Sequence, residues 1–276
     1  MVKQILICLS IWCIYEQNLL HQIVVADEAY KIKDTSELIS ISVSIDLETF
    51  ALDKKRNLPN TSVYNEVLSY YSTPFGDKYG RSTNVHETVH DINSTISNLK
   101  MGYRAFYIGA GRCVWIKKPS LTMTDIIPYI PNTLRGYRYK TYFIENIKAW
   151  NDNALYPIDE WSAYICGAEC AVDDYFQNIK AESKEDSVSG TLEFSIYCTA
   201  LCMAIKDKDP EYWHNNMQYR HLIHLFLIKS ENIFFEGKDI FPSDKQDILL
   251  KSLRTDTNAK SIKDFLIKEF HGIFIQ

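Results

Sequence analysis

Ser82-Thr83-Asn84-Val85-His86-Glu87-Thr88-Val89-His90-Asp91 is the stretch on which the reading of this protein turns. It contains the pattern His-Glu-x-x-His. Residues four apart on an α-helix lie one turn above each other on the same face. His86 and His90 can therefore offer two imidazoles to one zinc ion. Glu87 falls beside a metal-bound water, where a carboxylate can take its proton.

The pattern needs a helix beneath it. Val85, Val89, Ile92, Ile96 and Leu99 recur at spacings of four and three, an apolar seam suited to burial. At 100° per residue, His86 and His90 lie about 120° from the centre of that seam, on the flank where a cleft can open. A plainer reading uses the same residues. Asn84 with Glu87 three positions later has the form of a capping box, which would make Glu87 a helix-start residue, and so short a pattern also arises by chance.

The sequence of 276 residues carries a formal net charge of −5 and ordinary globular composition. It has no low-complexity tract, and no basic block to grip phosphates, which disfavours nucleic-acid binding. Lys3 followed by the apolar run Ile5 to Tyr15, with Val24-Val25-Ala26 before Asp27, reads as an export signal over residues 1–26. The run is too short for a standard membrane span, so no stable span is expected after cleavage. The expected location is secreted or periplasmic; a buried N-terminal strand or helix is the alternative.

Cys8 and Cys13 would leave with the signal. Cys166 with Cys170, and Cys198 with Cys202, form two i, i+4 pairs in helical segments. In an exported protein these suggest disulfides between facing helices. Buried thiols and a four-thiolate zinc site are the other readings, and Cys113 is left over.

Leu38 to Leu47 alternates apolar and polar residues and reads as a strand. Val63 to Tyr71 reads as a helix. Ser72 to Arg81 reads as a loop at the rim of a cleft. Tyr103 to Ile108 and Arg112 to Lys117 flank Gly109-Ala110-Gly111 as a hairpin, whose second strand is a candidate edge for an extended substrate. Leu121 to Ile130 reads as a short helix. Arg135, Arg138 and Lys140 are read as a solvated basic face.

Pro157 suits a first helical position, and Ile158, Trp161, Ile165, Ala168, Val172, Phe176 and Ile179 mark a helix to about Lys180. Glu160 lies on its flank with Tyr164, Gly167 and Ala171, where small residues let another helix approach. If that neighbour carries His86 and His90, Glu160 becomes the third metal ligand. Acids in a first helical turn are also favoured by the backbone dipole, which is the structural alternative for Asp159 and Glu160. His214, His221 and His224 lack an accompanying carboxylate and read as ordinary helix histidines. Helices over Leu192 to Ile205, Asp244 to Leu253 and Ser261 to Phe274 complete the sequence.

A His-Glu-x-x-His helix followed by a helix with a glutamate ligand resembles the gluzincin class of zinc metallopeptidases. Glu160-Trp161-Ser162-Ala163 is similar to the Glu-aromatic-x-Ala segment of the branch that includes anthrax lethal factor and the Pro-Pro endopeptidases. The resemblance covers two short helices. Tyr164 stands where that branch commonly has another acid, and the interval between the two motifs is long. The resemblance implies a peptide or protein substrate and an oxyanion-stabilising tyrosine upstream of the glutamate. Tyr156 is the nearest one, at an offset that does not match.

The expectation is therefore an α+β protein: a predominantly helical zincin-like domain over 27–181, with a small β-containing part and a β-hairpin, and a helical region over 182–276 packed on it. The expected function is a zinc metallopeptidase with metal ligands His86, His90 and Glu160, general base Glu87 and Tyr156 as a further catalytic candidate. The alternative is a non-enzymatic exported module, disulfide-stapled and helical, or a degenerate zincin. Sequence does not fix the oligomeric state.

Overall fold

The computed structural model describes residues 39–41, 63–70, 80–109, 112–179 and 186–275. The signal expected over 1–26 and most of the expected rim loop lie outside the described residues. Among the described residues three short strands form one sheet: β1 (Ile39–Ile41), β2 (Tyr103–Gly109) and β3 (Arg112–Lys117). The helices are α1 (Val63–Tyr70), α2 (Arg81–Ser97), α3 (Ile147–Trp150), α4 (Tyr156–Phe176), α5 (Ser187–Lys208), α6 (Pro210–Asn215), α7 (Met217–Gly237), α8 (Asp244–Thr255) and α9 (Lys260–Phe270). The class is α+β and mostly helical, as expected.

The apolar seam of α2 is buried as its spacing predicts: Val85, Val89, Ile92 and Ile96 are inaccessible to solvent. Burying side chains of this size stabilises by about 1.5–3 kcal/mol each. The helix begins at Arg81 after Gly80, so Asn84 lies within it. Asn84 is therefore not the N-cap, and the capping-box alternative for Glu87 falls away.

The partner of α2 is α4, and the two run antiparallel. Arg81 pairs with Asp174 at 2.8 Å, Ser82 Oγ donates to the Gly167 carbonyl at 3.0 Å, and His90 meets Asp159 at 2.9 Å. As α2 advances, its partners on α4 recede. At Gly167 a hydroxyl of one helix reaches the backbone of the other.

On its other side α4 packs against α5 and α7, and its burial is nearly all-round. Trp161 Nε1 donates to Ser230 Oγ of α7 at 2.7 Å. One apolar core joins Ile158 and Trp161 to Leu201, Phe226, Leu253 and Phe274, so the C-terminal helices share a core with α4. By length and composition α5 is apolar enough to cross a membrane, and its apolar window is buried within this core.

The structure corrects several sequence expectations. β3 lies between β1, parallel to it, and β2, antiparallel to it. Over Arg112 to Val114 it is a central strand, so that half offers no edge to a substrate. The run from Leu121 forms two separate 3-10 turns, Met123–Asp125 and Ile127–Tyr129. Arg138 is not solvated: it is buried, paired with Glu193 at 2.8 Å, with the same carboxylate accepting from the Arg138 backbone N–H.

The disulfide expectation is overturned. Among the described residues Cys113, Cys166, Cys170, Cys198 and Cys202 form no disulfide with one another, and all five are buried. Cys166 and Cys170 belong to a second, smaller apolar cluster with Val89 and Trp115, whereas Cys198 and Cys202 lie in the main core. Burial pushes the Cys202 thiol up to about 12, well away from a reactive thiolate. Reductant should leave the thermal midpoint of the folded protein unchanged. A drop of several degrees, as expected on losing a cross-link of about 2–4 kcal/mol, would restore the disulfide expectation.

Candidate metal centre

His86 and His90 project from the flank of α2 with their Nε2 atoms 3.1 Å apart. Glu160, from the first turns of α4, places Oε2 3.6 Å from each of them. Three ligands on a tetrahedral ion with bonds of about 2 Å stand roughly 3.3 Å from one another. The spacing in this protein is that of such a ligand set, and the three residues can hold a metal ion.

His90 and Glu160 are held in place by hydrogen-bond partners of their own. Asp159 Oδ2 lies 2.9 Å from His90 Nδ1, so the proton resides there and Nε2 is left facing inward. The other Asp159 oxygen accepts from Asn93 Nδ2 at 2.7 Å. Asn93 in turn accepts from the Tyr107 backbone N–H at 2.6 Å, which ties this series of bonds to β2.

Glu160 is 5% exposed, and a carboxylate so deeply placed must have its oxygens satisfied. Tyr156 donates to Oε1 at 2.6 Å and Tyr142 donates to Oε2 at 2.9 Å. Tyr164 packs edge-on against the His86 ring, with ring centroids 4.6 Å apart. Its own position depends on Gly190 of α5, where an added Cβ would fall 2.3 Å from the Tyr164 ring.

The electrostatics favour a cation between these groups. Burial alone would lower the His90 pKa, but the adjoining Asp159 and Glu160 carboxylates outweigh it and hold it well above the usual imidazole value. Burial would raise the Glu160 carboxyl, yet hydrogen bonds with His86 and His90 hold it well below the usual carboxylate range. Burial, reinforced by the Glu160 charge, raises both the Tyr142 and Tyr156 phenols, which remain neutral donors.

The centre opens on a cavity of about 420 Å³, which Glu87 lines beside the two histidines. Among the sequence-derived candidates, His86, His90, Glu160, Glu87 and Tyr156 thus meet at one place, with Tyr156 engaged in holding Glu160. Sequence reading did not single out Tyr142, Asn93 or Asp159 for a role at the centre. Tyr142 sits on a π-helical turn, Thr141–Glu145, for which the sequence carries no signal. Asn93 could have been found, since it follows His90 by three on the same helix face.

β2, rather than β3, borders the cavity with Arg104, Ala105 and Phe106. Its outward amides are already occupied: Ala105 N–H donates to Ser97 Oγ at 2.8 Å, and Tyr107 N–H to Asn93. The Tyr107 carbonyl accepts from Ser162 Oγ at 2.8 Å. At these positions an added strand would find no free N–H donor.

His221 and His224 lie on α7, outside the one group of metal-ligating side chains found among the described residues. Comparison with protein-family models, with curated proteins and with solved structures finds no match to this sequence.

Replacing Asp159 with Asn should weaken metal binding by about 10–100-fold in competition with a chelating indicator, because the His90 ring loses the carboxylate that fixes its tautomer. Wild-type affinity in Asp159→Asn would remove Asp159 from the centre.

Proposed function

We propose that this protein is a zinc-dependent metallopeptidase that hydrolyses peptide bonds with water. His86, His90 and Glu160 hold the metal and Glu87 is the general base. The observation that carries this reading is the convergence of two imidazole nitrogens and one carboxylate oxygen at the edge of a cavity that Glu87 also lines. Two nitrogens and one oxygen leave a fourth position for water, the arrangement of a catalytic rather than a structural site.

Zinc bound there supplies a Lewis acid and lowers the pKa of a coordinated water toward about 7. The protein's own groups do the rest. Glu87 accepts the water proton and returns it to the leaving amine. Asp159 keeps the His90 proton on Nδ1, so that Nε2 stays available. Tyr156 is a positioning residue, holding the far oxygen of Glu160. Tyr142 donates to the other oxygen of Glu160 and so shares that positioning role. The substrate is a peptide or protein, and the Lys3-led apolar segment supports an exported enzyme, secreted or periplasmic.

The test is hydrolysis of a quenched-fluorescent peptide library by the zinc-loaded protein. Glu87→Gln should keep its zinc and lose about 10²–10⁴-fold in rate. Undiminished hydrolysis by that variant would overturn the mechanism.

A further inference from the structure

The cavity beside the candidate metal centre is lined by two side chains that each have a buried polar atom without a partner among the described residues. Glu87, Asp91, Asp159 and Glu160 all line it, while Arg104 is the single arginine or lysine among its lining residues. A guanidinium beside several acids would ordinarily fold onto one of them. Arg104 makes no ion pair among the described residues, and its Nε is buried with no hydrogen-bond partner. Asn153, 8% exposed and lining the same cavity, has its Oδ1 buried and unpartnered as well.

Buried polar groups are nearly always paired in a folded protein, and an orphan donor with an orphan acceptor in one cavity marks a place for a ligand. Both groups stand on fixed backbone. Arg104 lies on β2, paired with Ile116 of β3, next to the Ala105 amide tied to Ser97. Asn153 lies in the turn that leads into α4, its N–H donating to the Trp150 carbonyl at 2.9 Å and its own carbonyl accepting from Tyr156 N–H at 2.9 Å. Phe106, Leu155 and Trp150 supply apolar wall in the same cavity.

We propose that Arg104 and Asn153 form a recognition site for a carboxylate-bearing residue of the substrate. The guanidinium takes the carboxylate in its planar fork, and Asn153 Oδ1 accepts an N–H of the same residue. Because the outward amides of β2 are occupied, selection rests on these side chains rather than on strand addition. The carboxylate is that of a peptide's C-terminus or of an aspartate or glutamate side chain. This inference rests on the metallopeptidase reading for the identity of the ligand as a peptide.

The test is binding, measured by calorimetry on the full zinc-loaded Glu87→Gln protein, so that it does not depend on turnover. The probes are N-acetylphenylalanine, N-acetylphenylalaninamide and N-acetylaspartic acid α-amide. At least one carboxylate probe should bind about tenfold or more tightly than the neutral amide. Arg104→Gln should erase that preference, Arg104→Lys should keep part of it, and removal of zinc with a chelator should leave it in place. An Arg104-dependent gain for N-acetylphenylalanine assigns the peptide terminus, and a gain for the aspartyl probe alone assigns an acidic side chain.

A preference that disappears with zinc but survives in Arg104→Gln would put the carboxylate on the metal and overturn the proposal. Equal binding of all three probes would overturn it too. If Arg104→Gln loses the parental thermal midpoint, Arg104→Lys and Asn153→Ala carry the same comparison. Absence of hydrolysis by the wild type would refute the peptidase reading separately, without altering these affinities.

Discussion

A buried carboxylate that must be satisfied on every side governs this structure. Glu160 sits between two imidazoles and two phenols, and its partners arrive from three elements: His86 and His90 from α2, Tyr156 from one turn earlier on α4, and Tyr142 from the π-helical turn. An unpaired carboxylate at this depth would cost several kcal/mol. The antiparallel crossing of α2 and α4 and the excursion that carries Tyr142 therefore follow one requirement. The same requirement brings together three side chains that can hold a metal ion.

The segment that carries Glu160 shows how closely the centre is joined to the rest of the fold. Glu160 faces His86 and His90, Trp161 donates to Ser230 of α7 in the core, and Ser162 donates to the Tyr107 carbonyl of β2. Three successive residues thus fix one helix to the site, the helical core and the sheet. Asp159 extends this linkage, joining His90 through Asn93 to the backbone of the same strand. With no matching relative to lend its role, the functional reading of these residues rests on geometry and chemistry, which is where function resides on any fold.

The legible parts were those written in helical periodicity. The seam of Val85, Val89, Ile92 and Ile96 announced α2, and the small residues beside Glu160 announced a close helix neighbour. The rest depended on contacts between distant segments. That Asp159 does more than favour a helix start becomes visible only when His90 is beside it. The cysteine spacings gave two helical pairs but not their facing, and they belong to different clusters. β3 looked like a free edge because its parallel partner, β1, comes from far upstream. Arg138 looked solvated because its partner, Glu193, lies on α5, with the whole of α4 between them in sequence.

The most direct test of the central claim is the metal K-edge absorption spectrum of the purified protein, taken with its zinc content. The account predicts about one zinc per molecule, bound through two imidazoles with only light-atom ligands at about 2.0–2.2 Å. A protein that takes up no zinc, or zinc with sulfur at about 2.3 Å among its ligands, would contradict it.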